Sequence, residues 1–163
     1  MTLKEYINTL NEQKQFNLAL ELTERTLPIW NEYAKSNKLE YIDTVVGMHH
    51  KVDQELLIRT IQTVRNELET PKSQGRQISQ LQKEFSDPIV AMQDLDWELP
   101  YSVEKTFYAI RNLLEKLCGQ ETTVFDEPQI YVVINQAIDA LSESRLMSDD
   151  EIKEILNKYK TVH

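Results

Sequence analysis

Residues 39–68 read Leu-Glu-Tyr-Ile-Asp-Thr-Val-Val-Gly-Met-His-His-Lys-Val-Asp-Gln-Glu-Leu-Leu-Ile-Arg-Thr-Ile-Gln-Thr-Val-Arg-Asn-Glu-Leu. Within them Ile42, Val45, Val46, His49, Val52, Leu56, Leu57, Ile61, Val64 and Leu68 recur at helical spacing, which predicts one apolar face sustained over about eight turns. A helix of that length would be the spine of an all-helical protein, and the segments on either side are read against it.

Upstream, Thr2 with Glu5 three residues on forms a capping box, followed by Leu3, Tyr6, Ile7 and Leu10 at helical intervals. Phe16, Ala19, Leu20, Leu22 and Leu27 then lead to Pro28, with Ile29, Trp30 and Tyr33 beyond it. This predicts either one helix kinked at Pro28 or two that abut there.

Downstream, Thr70 to Gly75 reads as a turn, because Pro71 disfavours helix at Thr70 and Gly75 tolerates unusual backbone angles. A short helix with Ile78, Leu81 and Phe85 is expected next. Asp87-Pro88 has the form of a cap plus a first-turn proline and predicts a separate brief helix through Ile89, Val90 and Met92. Ser102 is the expected cap of a helix carrying Val103, Phe107, Ile110, Leu114 and Leu117 and stopping at Gly119. Pro128 is expected to open another through Ile130, Ile134, Ile138 and Leu141, although Tyr131 to Ile134 also suits a buried strand. Ser148-Asp149-Asp150-Glu151 is a second capping box, before Ile152, Ile155, Leu156 and Tyr159. The expectation is all-α: one helical bundle of about six to eight helices over residues 1–163, with no repeat and no long linker.

Composition narrows the function classes. A formal net charge of −9 and a pI near 4.9 argue against phosphate-backbone binding, since only Lys72, Arg76 and Lys83 form a loose basic group. The same balance disfavours an anionic membrane surface, and no run has the length of a bilayer span. A charged, alternating start without a secretory core, together with the lone Cys118, predicts a cytoplasmic protein. Cys118, near a helix C-terminus and without a neighbouring histidine in sequence, is expected to be a buried structural thiol.

Glu84 to Glu104 contains six carboxylates and no Lys or Arg. Asp94, Asp96, Trp97, Glu98, Tyr101 and Glu104 are therefore the candidate partner-binding residues: an acidic field around aromatic anchors, suited to a basic protein. Asp94, Asp96 and Glu98 alternate like calcium-loop ligands, but Leu99 occupies the glycine position and Lys105 the closing glutamate position. His49, His50 and Asp53 are the candidate metal ligands, His49 and Asp53 being four apart on the expected long helix. Val46 and Gly47 stand where a helical di-iron site needs glutamate, and the one other histidine is His163. No catalytic set, cofactor motif, phosphate loop or nucleophile elbow occurs.

The run Leu18-Ala-Leu-Glu-Leu-Thr-Glu-Arg-Thr-Leu-Pro28 resembles a helix of the bacterial family known as domain of unknown function 416, where Glu-Arg is followed shortly by proline. The order of later features is also similar: a long second helix, a short helix like Gln77 to Phe85, a Tyr-led helix like Tyr101 to Gly119, and Met147 to Glu151 before the last helix. The chain departs from the pattern in lacking the cysteine of the first motif, with Leu20 to Thr23 there instead. The resemblance implies an all-helical, cytosolic bacterial protein of unassigned role and transfers no catalytic residue.

The functional expectation is a non-enzymatic protein that binds a basic protein, in the manner of an immunity protein covering the nucleic-acid site of a cationic toxin. The alternatives are a metal-binding or metal-dependent helical bundle built on His49, His50 and Asp53, and a homo-oligomeric structural protein.

Overall fold

The computed structural model describes residues 1–119 and 127–160. Among them are seven helices and two short strands: α1 (Leu3–Asn8), α2 (Glu12–Ser36), β1 (Glu40–Ile42), β2 (His49–Lys51), α3 (Leu56–Glu69), α4 (Gly75–Asp94), α5 (Tyr101–Leu117), α6 (Gln129–Glu143) and α7 (Asp149–Asn157). The protein is mostly helical, as its periodicity predicts. No described helix is long and apolar enough to cross a membrane.

At the centre, α5 packs along α6, and α2 lies against both, with α3 closing on α5 and α2. One apolar cluster draws on all seven helices, from Ile7 of α1 to Ile155 of α7. Phe107 is its aromatic hub, 5.8 Å from Trp30 and 5.2 Å edge-on from Phe85 between ring centroids. Edge-on contact sets the positive rim of one ring against the negative face of the other.

Both capping boxes form: Glu5 donates its backbone N–H to Thr2 Oγ1, Glu151 donates to Ser148 Oγ, and each glutamate carboxylate accepts the cap's own N–H. The chain passes Pro28 in one 25-residue helix, α2. Proline forfeits a single backbone hydrogen bond there. Trp30 holds the segment beyond it, fully buried and donating its indole N–H to the Gln54 carbonyl at 3.1 Å. Gly119 takes φ +73° just past α5, the left-handed position a terminating glycine fills. Residues 129–143 are helix rather than strand, with Val133, Ile134, Ala137 and Leu141 buried along one face.

Several sequence expectations are corrected. The eight-turn spine does not exist: residues 40–51 form an antiparallel hairpin, and only Leu56–Glu69 is helical. Asp43-Thr44-Val45-Val46-Gly47 is a run of poor helix formers, and its residues are worth more to the chain as a turn. The apolar spacing that mimics a helix mixes core residues, such as Val52 and Leu56, with solvent-facing Val45 and Val46. Lys72, rather than Gly75, takes the left-handed backbone of the α3–α4 turn, while Gly75 opens α4. The two short helices expected around Pro88 are one, because Leu81, Phe85, Pro88, Ile89 and Ala91 bury a continuous face that outweighs the missing proline N–H. Pro100, not Ser102, stands at the cap of α5, and Ser102 lies inside the helix with its carbonyl accepting from the Thr106 hydroxyl.

Candidate docking surface

The hairpin pairs Glu40 with Lys51, Tyr41 with His50 and Ile42 with His49. Successive strand residues face opposite sides. Tyr41 and His50 therefore point inward and Ile42 and His49 outward, in agreement with His50 being 2% exposed and Ile42 57%. His50 Nδ1 lies 2.8 Å from Asp87 Oδ1 on α4. A carboxylate only accepts, so Nδ1 carries the hydrogen. Tyr41 stacks on Trp97, centroids 6.1 Å apart and planes at 15°. These two contacts fix the hairpin to the C-terminal half of α4 and to the acidic segment that follows.

The metal candidates are separated by this geometry. His49 faces out and hydrogen-bonds to Glu40 at 2.9 Å, His50 faces in toward Asp87, and Asp53 accepts from Arg59 at 3.1 Å. They sit on a hairpin and its exit rather than on one helix face, and neighbouring strand residues cannot converge on one ion. Among the described residues no group of three or more His, Cys, Asp or Glu is placed to hold a metal. His163 lies outside the described residues.

The six carboxylates of the acidic segment have three fates. Glu84 is taken by Arg59, whose two terminal nitrogens each donate to it at 2.9 Å in a bidentate fork joining α3 to α4. Asp87 is taken by His50. Asp94, Asp96 and Glu98 are exposed, Glu104 is half-buried in the first turn of α5, and none of these four has an ion-pair partner among the described residues.

Trp97, a candidate interface anchor, belongs to the core. It is 7% exposed, and Leu99 is similarly buried. Alternation along the extended segment turns Trp97 and Leu99 into the core while Asp96 and Glu98 face water. Tyr101 is exposed. Its hydroxyl reaches Asp139 at 3.4 Å and Lys105 Nζ sits 5.2 Å from its ring. Partial burial and the Asp139 charge push its pKa up.

The apolar part of this surface is one that sequence reading missed. Val45 is 89% exposed, Val46 66% and Met48 55%, together with Ile42, at and beside the hairpin tip. Its signal was present in Gly47, whose φ of +73° suits a turn, and in the β-branched residues before it. On α4, Val90 is also exposed, on the face that carries Asp87 and Asp94.

Elsewhere, a cleft of about 620 Å³ runs between the end of α2 and the start of α5, lined by Pro28, Tyr33, Pro100 and Leu146. A polar cleft of about 570 Å³ lies between α3 and α4, lined by Arg59, Gln62, Asn66, Arg76 and Gln80. Cys118 is half-buried with the Gln82 amide 3.5 Å from its sulfur, and burial, then Glu115 and Glu67, push its pKa up.

No protein-family model, no curated protein and no solved structure matches the chain. The functional reading therefore rests on the surface itself.

Proposed function

We propose that this is a non-enzymatic, acidic helical protein that binds a basic protein partner, with Asp94, Asp96 and Glu98 facing it and Tyr101 and Glu104 at the margin. The observation that carries the reading is the set of exposed carboxylates that have no ion-pair partner among the described residues, in a segment that contains no Lys or Arg. Such charges cost their own protein self-repulsion and gain it complementarity to a cationic surface. A basic nucleic-acid enzyme is the partner class that fits best, because carboxylates can occupy the sites of phosphates, as an immunity protein would use them. Membership of the domain of unknown function 416 family and a bacterial cytoplasmic setting belong to the same proposal.

The test is affinity capture from lysate of the natural host at low and moderate salt, with mass spectrometry of the retained protein, followed by titration of that purified protein with the wild type and D94K/D96K/E98K. The expected result is association slowed by about tenfold or more at low salt, with the salt dependence largely removed. An affinity unchanged by the triple reversal would sink this placement of the interface.

A further inference from the structure

Hairpin tips are ordinarily built from Gly, Asn, Asp, Pro and Ser. Here the tip presents Val45, Val46 and Met48, with Ile42 at its base, all more than half exposed. Nothing among the described residues covers them, and the inward face of the hairpin is already occupied by the His50–Asp87 and Tyr41–Trp97 contacts.

The tip is held rigid. Asp43 is buried; its N–H donates to the Met48 carbonyl at 2.9 Å, its carbonyl accepts from Gly47 N–H at 2.7 Å, and its Oδ1 accepts from Val45 N–H at 2.9 Å. A turn closed on all three groups of one aspartate holds its backbone in one conformation, which lowers the ordering cost of docking.

We propose that this apolar tip is the anchor by which the chain docks, inserting Val45, Val46 and Met48 into an apolar depression on a basic protein. The inference rests on the reading that the acidic face meets a basic partner, and adds to it the hydrophobic centre that Trp97, being buried, does not supply.

Charge complementarity selects the occupant. The hairpin's inner contacts, Asp87 and Trp97, belong to the acidic segment, and Trp97 stands between exposed Asp96 and Glu98 in sequence, so the strands that carry the tip are fastened to the strip that carries those charges. A second copy of the chain would bring the same carboxylates together in an isologous pairing, between molecules of formal charge −9 each. An anionic bilayer would repel them likewise. A cationic protein surface with an apolar pocket satisfies both the tip and its surroundings, in the arrangement of apolar centre and charged rim that specific interfaces use.

The test uses the full chain with a photoreactive phenylalanine derivative in place of Val45, irradiated in host lysate, with adducts identified and mapped by mass spectrometry. The captured protein is then purified and titrated with wild type, V45S/V46S/M48S and D94K/D96K/E98K. The expected result is an adduct with a protein rich in Lys and Arg, and affinity at least about tenfold weaker for the tip variant. Its circular dichroism and melting temperature should be unchanged, because these side chains face solvent. No adduct, an adduct with a second copy of this chain, or one with a protein lacking a basic surface would overturn the proposal. If only the charge variant loses affinity, basic-partner binding stands and the anchor fails. If only the tip variant loses it, the charge argument fails and with it the choice of a basic occupant.

Discussion

Removing the contact between His50 and Asp87 tests whether the hairpin is fastened to α4 as the geometry indicates. His50 is almost fully buried, and its Nδ1–H bond to Asp87 spans 2.8 Å. The other ring nitrogen, Nε2, is buried with no hydrogen-bond partner among the described residues. Asp87→Ala would therefore leave a buried imidazole with neither nitrogen satisfied, a loss of about 1–3 kcal/mol. His50→Ala deletes the bond and also the ring that packs beneath Tyr41, centroids 6.3 Å apart, a loss of about 2–4 kcal/mol. Half of the Asp87 side chain remains in water. The coupling between the two is accordingly set low for a hydrogen bond to a charged group, at about 1–2 kcal/mol, or a factor of about 5–30 in the folding equilibrium. The assay is a double-mutant cycle of urea unfolding on wild type, H50A, D87A and H50A/D87A. Tryptophan fluorescence from Trp30 and Trp97 together follows global unfolding, and amide exchange at Tyr41 and His50 reports local opening of the hairpin. Single-mutant losses that add within about 0.3 kcal/mol would show the two side chains to be energetically independent and would refute the clamp.

Two further predictions concern groups away from the docking surface. Tyr159 donates to Glu21 at 2.9 Å, tying the end of α7 to α2, and its pKa is raised to about 12 by burial, then by the hydrogen bond and charge of Glu21. The folded state thus holds this proton more tightly than the unfolded chain, whose tyrosines titrate near 10, so the stabilisation is whole below pH about 10 and lost as pH rises to about 12. Tyr159→Phe should flatten that alkaline decline in melting temperature and delete the highest-pH component of the phenolate absorbance titration; an unchanged profile would contradict the assignment. Cys118, with its thiol pKa pushed up, should react with a disulfide reagent at neutral pH more slowly than a free cysteine and accelerate with pH. Rapid modification of the folded protein at pH 7 would count against a structural thiol.

Much of the fold is legible in the chain because the signals are local. Thr2 with Glu5 and Ser148 with Glu151 specify helix starts through bonds spanning three residues, and Gly119 specifies a stop through its own backbone freedom. The helical period of Phe107, Ile110 and Leu114 predicts the buried face of α5. The docking surface was half legible. Charge is additive along a sequence, so the acidic segment stood out, whereas the burial of Trp97 depends on alternation in an extended strip and on a ring, Tyr41, that lies far from it in sequence. Similarly, the spacing of Val45, Val46 and His49 fits a helix until the turn at Gly47 is recognised, and with it went the metal reading of His49, His50 and Asp53.

By itself, then, the sequence determined an all-helical class, the capped starts of α1 and α7, the stop of α5, the acidic balance and the segment that concentrates it. Only the tertiary structure decided that residues 40–51 are a hairpin, that Pro88 lies inside one helix, that Arg59 neutralises Glu84 while Asp94, Asp96 and Glu98 have no ion-pair partner among the described residues, and that the apolar tip faces water. The reason is physical. Caps, periods and net charge are set within a few residues or by simple summation, but which side of an apolar stripe is covered, and which charge finds a counter-ion, depend on elements brought together across the chain by packing.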